Sequence, residues 1–290
     1  MNPLDLLDNY TYTQALVGTV GLGVCAGALG PLIYLRRQSL LADAISHSAL
    51  PGLLVAFLAA TMLGLNGRNP LALVVGSVLS GVLAVAIINA LVRRTPLRPD
   101  AAMAATLTTF FSLGMLLMQY ISRHPLPGKA GIQDYLLGNA STLTRADVSL
   151  ILVIGVGTLL ILSWVHDKQS AVVFDVSFAQ VAGLPVRVLD WLSFLALTVV
   201  TVSGVKVSGV VLMVAVVIAP AAAARQWTTR LLPFIALSAA FGGLAAAVGC
   251  YISIAYGPLP TGPVIVLVQA ALVAVSFART GLNRRQEVRP

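Results

Sequence analysis

Long uncharged apolar stretches, broken by short clusters of charge, set the character of the chain. Residues 9–35, 48–67, 69–92 and 101–122 carry no Asp, Glu, Lys or Arg. Residues 231–278 carry none either, a length sufficient for two membrane passes at about 20 residues each. The pattern predicts membrane helices at 14–35, 40–65, 70–92, 101–121, 148–166, 190–205, 207–224, 231–254 and 262–279. That makes nine spans, or eight if the pair around Lys206 is one broken helix or the first span lies in the interface. The fold class is therefore an all-α integral membrane protein, a polytopic helical bundle. Gly and Ala within the spans suit close helix–helix approach.

The charged residues between the spans report topology. Arg36 and Arg37, then Arg93, Arg94 and Arg98, then Arg225 and Arg230, then Arg279, Arg284, Arg285 and Arg289 all fall on one side in the nine-span reading, which is the cytoplasmic side. The N-terminus is then outside and the C-terminal tail inside. Lys206, Arg145, Arg123 and Lys129 are exceptions, placed on the outer side. Residues 1–13 form an outer segment, 14–279 a single transmembrane domain and 280–290 a short cytoplasmic tail too small for a regulatory domain. The first residues carry Asp5 and Asp8 and no basic group, so the first span rather than a cleaved secretory signal is expected to direct insertion.

Composition closes off the soluble alternative. Of 290 residues, 58% are hydrophobic and only 10% charged, against about 25% charged in soluble domains. The formal net charge of +8 would suggest nucleic acid in a soluble chain, but here the basic residues punctuate spans and no basic patch is interleaved with aromatics. Membrane lipid is the expected surround, and no nucleic-acid partner is expected. Cys25 and Cys250 both lie in apolar spans and read as small packing residues.

Two connections are longer than the rest. The outer one, 123–147, contains Pro125, Pro127, Gly128 and Gly131, and its uncharged run 135–144 reads as a re-entrant or interfacial piece. The cytoplasmic one, 167–190, contains Phe174-Asp-Val-Ser-Phe-Ala-Gln-Val-Ala-Gly-Leu-Pro185. Asp175 suits an N-cap, Gly183 a C-terminal stop, and Pro185 prevents continuation, so a short helix is predicted with Phe178 and Val181 on one face. It is a connector, an interfacial helix or a docking element for a cytoplasmic partner.

Candidate chemistry concentrates in Ser39-Leu-Leu-Ala-Asp-Ala-Ile-Ser-His-Ser-Ala-Leu-Pro-Gly52. Asp43 and His47 are four residues apart and share a helix face. Counting from the cytoplasmic end, Asp43 lies roughly 6–9 Å into the membrane and His47 roughly 12–15 Å, in a core about 30 Å thick. Pro51-Gly52 is expected to bend or loosen the helix. Ionisable residues at such depth mark an ion or proton path, and Asp oxygen with His nitrogen is a ligand set for divalent transition metals. A buried hydrogen bond that only stabilises packing is the competing reading. Ser46 and Ser48 stand ready to orient such a site. His124, beside Pro125, and His166, before Asp167, read as polar residues at headgroup level.

No catalytic residues are assigned. The single Glu is Glu287, and the chain has no HExxH, GxSxG, P-loop or dinucleotide fingerprint. It therefore cannot hydrolyse ATP in the P-loop manner, and active transport would draw on a partner or a gradient. An intramembrane enzyme using Asp43 and His47 as acid and base, and a gradient-driven carrier, are the readings from other classes.

The run from Leu35 to Gly52 resembles the second-helix signature of ABC-type divalent-metal importer permeases, which serve bacterial manganese, zinc and iron uptake. Leu137-Gly-Asn139 is similar to that family's outer-segment motif. Phe174 to Ala179 with Gly183-Leu184 resembles its coupling segment, Gly209 to Arg225 its long late apolar motif, and Pro260-Thr-Gly-Pro263 the opening of its last helix. The matches run in order from about residue 12 to 279. The resemblance implies the fold of type II ABC importer permeases, in the bacterial cytoplasmic membrane. It implies two permease subunits, identical or paired, two cytoplasmic ATPase subunits that supply ATP hydrolysis, and an extracytoplasmic metal-binding protein. It places metal contact on Asp43 and His47, and ATPase coupling on Phe174, Asp175, Phe178, Ala179, Gly183 and Leu184. No resident cofactor is implied; the cation is cargo, with manganese ahead of zinc and iron. A permease for a haem or siderophore chelate is the alternative within the same architecture.

Overall fold

The computed structural model describes residues 10–36, 38–256 and 259–287, with side chains through residue 280. Arg37, the segment up to residue 9 with Asp5 and Asp8, the side chains of Arg284 and Arg285, and Arg289 lie outside the described residues. All regular elements among the described residues are helical.

The chain enters through α1 (Tyr10–Leu35) and turns within three residues into α2 (Ser39–Met62). Helices α3 (Pro70–Arg94) and α4 (Pro99–Arg123) follow, each with proline in its first turn, where the missing N–H is no loss. The outer connection folds into a four-residue helix, α5 (Asp134–Leu137), and a 3-10 turn at Ala140–Thr142. Helix α6 (Arg145–Trp164) opens with a capping box between Thr144 and Asp147. After it come α7 (His166–Phe174) and α8 (Val176–Val181). The rest is α9 (Val186–Ser208), α10 (Met213–Arg225), α11 (Leu231–Ala255) and α12 (Thr261–Glu287).

Eight of these helices are long and apolar enough to cross a membrane, and α10 is a ninth apolar helix of 13 residues. Its rise of about 20 Å falls short of a core of about 30 Å. The pair expected at 190–205 and 207–224 is thus a full span followed by a short one. The chain breaks between them at Gly209, whose φ of 83° is open to glycine and strained for other residues. The first span is not interfacial: α1 is largely buried, packed between α11, α10 and α6. Helix α2 is the second inner helix and is flanked by α3 and α4. Helix α12 runs on to Glu287, through most of the segment expected to be a tail.

Packing of α1 against α11 is backbone on backbone. A methyl group on Gly27 would stand 2.5 Å from the Ser238 carbonyl oxygen, and one on Gly23 equally close to that of Gly242. The Ser238 hydroxyl donates to the Gly27 carbonyl at 2.5 Å, closing the gap with a hydrogen bond. Cys25 and Cys250 are both buried free thiols, as their apolar settings suggested.

The outer connection closes over one end of the bundle. The Asn139 N–H donates to the Lys206 carbonyl at 3.0 Å, and the Val210 N–H donates to the Tyr135 carbonyl at 2.9 Å. The Ala140 N–H donates to the Thr261 hydroxyl at 3.1 Å, which adds the start of α12. Gly138, Gly209 and Gly262 meet here: a Cβ on any of them would strike the backbone of another strand of the crossing. The uncharged run 135–144 is thus a backbone-bonded plug.

Three of the basic residues that depart from the charge rule have local partners. Lys206 pairs with Asp147 at 2.6 Å. Arg145 lies over the Tyr10 ring, 4.4 Å from its centroid. Lys129 donates to the carbonyls of Ser122 at 3.1 Å and His124 at 2.9 Å.

Candidate functional site

Asp43 and His47 meet as their spacing predicts. Asp43 Oδ1 lies 3.3 Å from His47 Nε2 across one turn of α2. The imidazole side chain is 11% exposed and the carboxylate 26%, so the acid is the open end of the pair. Neighbouring positions on α2 are buried, and Ser46 and Ser48 turn their hydroxyls back to the carbonyls of Ala42 (2.9 Å) and Ala44 (2.5 Å). The serines thus satisfy their own helix and do not point at the pair.

The ring is held from the side by α4. Gly114 lets α4 approach Leu50, where an added Cβ would come within 2.8 Å of the leucine side chain. One turn back on both helices, Phe111 meets His47 edge to face, with ring centroids 4.6 Å apart and planes at 83°. With Nε2 turned to Asp43, the other ring nitrogen, Nδ1, is buried without a hydrogen-bond partner. A buried imidazole nitrogen without a partner carries a desolvation cost, which a cation or a water would relieve.

Pro51 does not break α2, which remains helical through residue 62. Proline has no N–H, so the His47 carbonyl loses its helical donor. Gly52, next along, lets α3 come close at Gly76 and Ser80, and the Ser80 hydroxyl donates to the Ser48 carbonyl at 2.7 Å. That bond lies one residue beyond the His47 carbonyl and ties α2 to α3 at the proline.

The face of α4 beside the pair carries polar residues outward. Thr108, Thr109 and Ser112 are exposed, as are Ala104 and Ala105, in a helix otherwise suited to a membrane. Small and hydroxyl-bearing side chains in that position fit a protein neighbour better than lipid.

The segment between α6 and α9 divides its residues between caps, core and surface. Asp175 accepts from the Phe178 N–H at 2.9 Å and caps α8. At the other end Gly183, with φ 75°, completes a Schellman turn: its N–H donates to Gln180 and the Leu184 N–H donates to Ala179, both at 3.0 Å. Ala179 is fully buried against Val172 and Leu189, with Leu184 packed onto that cluster. Phe174, Phe178 and Val181 face outward, with Val181 90% exposed. The sequence did not signal α7, whose polar start at His166-Asp-Lys-Gln-Ser hides Gln169 and Val172 as its inward face.

His124 and His166 stand apart from the pair. The His124 ring contacts Tyr120 and its Nδ1 lies 2.8 Å from the Tyr120 carbonyl, while His166 opens α7. Among the described residues no group of three or more His, Cys, Asp or Glu side chains could hold a metal ion. Beside the connection from α4 to α6, a recess of about 350 Å³ is lined by Arg68, Asp134, Tyr135, Asp147 and Lys206. Burial pushes the Tyr135 phenol above its usual range, and the nearby Asp147 carboxylate adds to the shift.

The family described as the ABC 3 transport family matches residues 8–280. The chain is 38% identical over 275 residues to the zinc transport system membrane protein TroC of Treponema pallidum (strain Nichols), covering 94% of this chain and 90% of that protein. It is 34% identical over 263 residues to the manganese transport system membrane protein MntC of Bacillus subtilis (strain 168), covering 90% of this chain and 59% of that protein. Among solved structures, PsaBC from Streptococcus pneumoniae in complex with Fab superposes with a TM-score of 0.83 at 29% identity, over 94% of this chain and 95% of that one.

Proposed function

The chain belongs to the ABC 3 transport family, and we propose that it is the membrane permease of an ATP-driven importer that passes a divalent transition-metal cation into the cytoplasm. It is a multi-pass membrane protein, and its relatives are named for zinc and manganese transport, which puts those two cations ahead of iron. The observation that carries the cargo is the Asp43–His47 pair, a partly open carboxylate 3.3 Å from an imidazole nitrogen.

Two donors hold a cation loosely, because Zn²⁺ takes about four ligands and Mn²⁺ about six. A second permease subunit facing this one supplies a second pair. The exposed Thr108, Thr109 and Ser112 support that arrangement, since with Ala104 and Ala105 they make a face of small side chains, the threonine hydroxyls bonded back to their own helix, that a second helix can approach closely. Incomplete ligation suits transit, because the ion has to leave again. On the cytoplasmic side, Phe174, Phe178 and Val181 form an apolar knob on a well-capped helix, suited to a groove on an ATPase partner. On the outer side an extracytoplasmic metal-binding protein delivers the ion.

Uptake of radiolabelled Zn²⁺ and Mn²⁺ by cells producing the assembled transporter tests the reading. Asp43→Asn and His47→Gln are expected to abolish uptake while the complex still forms. Undiminished uptake by both variants removes the metal role, and uptake of a chelate in place of the free ions returns the chelate alternative.

A further inference from the structure

We propose that the Arg36–Asp190 ion pair transmits movement of α8 to the Asp43–His47 pair; the proposal rests on the reading above of α8 as the ATPase contact and of that pair as the cation contact. The path is short and built of specific contacts. Ala179 of α8 packs into a buried cluster with Leu189, in the first turn of α9. The next residue, Asp190, places Oδ1 2.7 Å from a guanidinium nitrogen of Arg36. A second tie holds α7 to the same stretch of α9, where Gln169 Nε2 donates to the Ser193 hydroxyl at 2.5 Å.

Arg36 stands between α1 and α2, and backbone bonds tie the start of α2 to the end of α1. The Gln38 N–H donates back to Ile33 at 3.2 Å, and the Leu41 N–H donates to Gln38 at 3.0 Å. Asp43 follows Ser39, the first residue of α2, by about 6 Å of helix rise. A pull on Asp190 therefore reaches the base of the cation pair through one ion pair and one bonded corner.

The surroundings suit a link of this kind. Leu32, Leu41, Phe194 and Leu197 line a small cavity beside Arg36, whose side chain is 13% exposed. The other terminal nitrogen of Arg36 is buried without a hydrogen-bond partner, so Asp190 carries the main compensation for a largely desolvated charge. Loss of Asp190 leaves a mostly buried guanidinium uncompensated, and loss of either partner frees the corner from α9.

The experiment measures cation taken up per ATP hydrolysed by the complete transporter in vesicles. Arg36→Gln and Asp190→Asn are expected to keep ATP hydrolysis but lower that ratio about tenfold, a size usual for coupling between two sites. The exchange Arg36→Asp with Asp190→Arg is expected to restore the ratio. A wild-type ratio in both single variants overturns the proposal. So does a loss that the exchange leaves unrepaired, because it marks a packing role for the original side chains.

If the single variants do not assemble, Arg36→Cys with Asp190→Cys, joined by a reducible bis-thiosulfonate, asks the same question. Cys25 and Cys250 are buried and do not compete for the reagent. The joined form is expected to couple and the reduced form to uncouple; equal ratios overturn the link. Co-purification of the ATPase with Phe178→Ala tests docking separately, and Asp43→Asn uptake tests the cation contact, so failure of those readings is told apart from failure of the link.

Discussion

Lys206 Nζ lies 2.6 Å from Asp147 Oδ2, joining the last turn of α9 to the first turn of α6 at the outer face. The same carboxylate oxygen accepts from the Thr144 backbone N–H at 2.8 Å and its hydroxyl at 2.6 Å. One acid thus caps a helix and neutralises a lysine that would otherwise sit on the wrong side of the membrane for its charge.

Asp147→Ala is expected to destabilise the protein by about 3 kcal/mol, because it strands a lysine in a mostly buried place and removes a cap. Adding Lys206→Met is expected to recover much of that loss. Thermal unfolding of the detergent-solubilised single and double variants checks the prediction.

Gly27→Val is expected to cost about 2–3 kcal/mol, since its side chain meets the α11 backbone, which cannot turn aside. Gly157, also helical, has open space where a Cβ would stand, so Gly157→Ala is expected to be neutral or stabilising by up to about 1 kcal/mol. Expression level and thermal midpoint of the two variants, measured together, decide it.

Gly183→Ala is expected to cost about 1 kcal/mol locally by forcing a left-handed backbone on a residue with a Cβ. Asp175→Ala is expected to cost about as much through the lost cap. Both should weaken ATPase binding without changing the thermal midpoint of the spans, whereas Phe178→Ala should weaken binding with the helix intact. Pull-down of the ATPase with each variant, beside hydrogen exchange of residues 175–184, separates fraying from lost contact.

Phe111→Ala removes the edge-to-face contact that sets the His47 ring, worth about 1 kcal/mol. Cation uptake is expected to show a higher half-saturation concentration with a smaller change in maximal rate. Phe111→Tyr, which keeps the ring, is expected to stay close to wild type. Uptake titrations with Mn²⁺ and Zn²⁺ provide the measurement.

Local signals in the chain were legible because their physics is local. An i, i+4 spacing on a helix is sufficient to bring Asp43 and His47 together. A cap acid and a terminating glycine are sufficient to bound α8 between Asp175 and Gly183. Uncharged runs mark spans because bilayer thickness sets their length. What stayed hidden depends on chain crossing. Lys206 reads as an anomaly until Asp147, 59 positions away, is placed beside it. Arg36 reads as a topology signal until α9 brings Asp190 to it. The short α10 was read as a full span because a window of hydropathy does not see that Gly209 to Leu212 leaves the helix to bond with the outer connection.

The meeting of Gly138, Gly209 and Gly262 leaves no rotamer to flip where the three segments cross. A side-chain gate can be ajar; a seam of main chain laced by amide bonds has to part along its length. Parting α5 from the α9–α10 elbow would therefore break main-chain bonds and move each as a solid piece, so the two are expected to shift together.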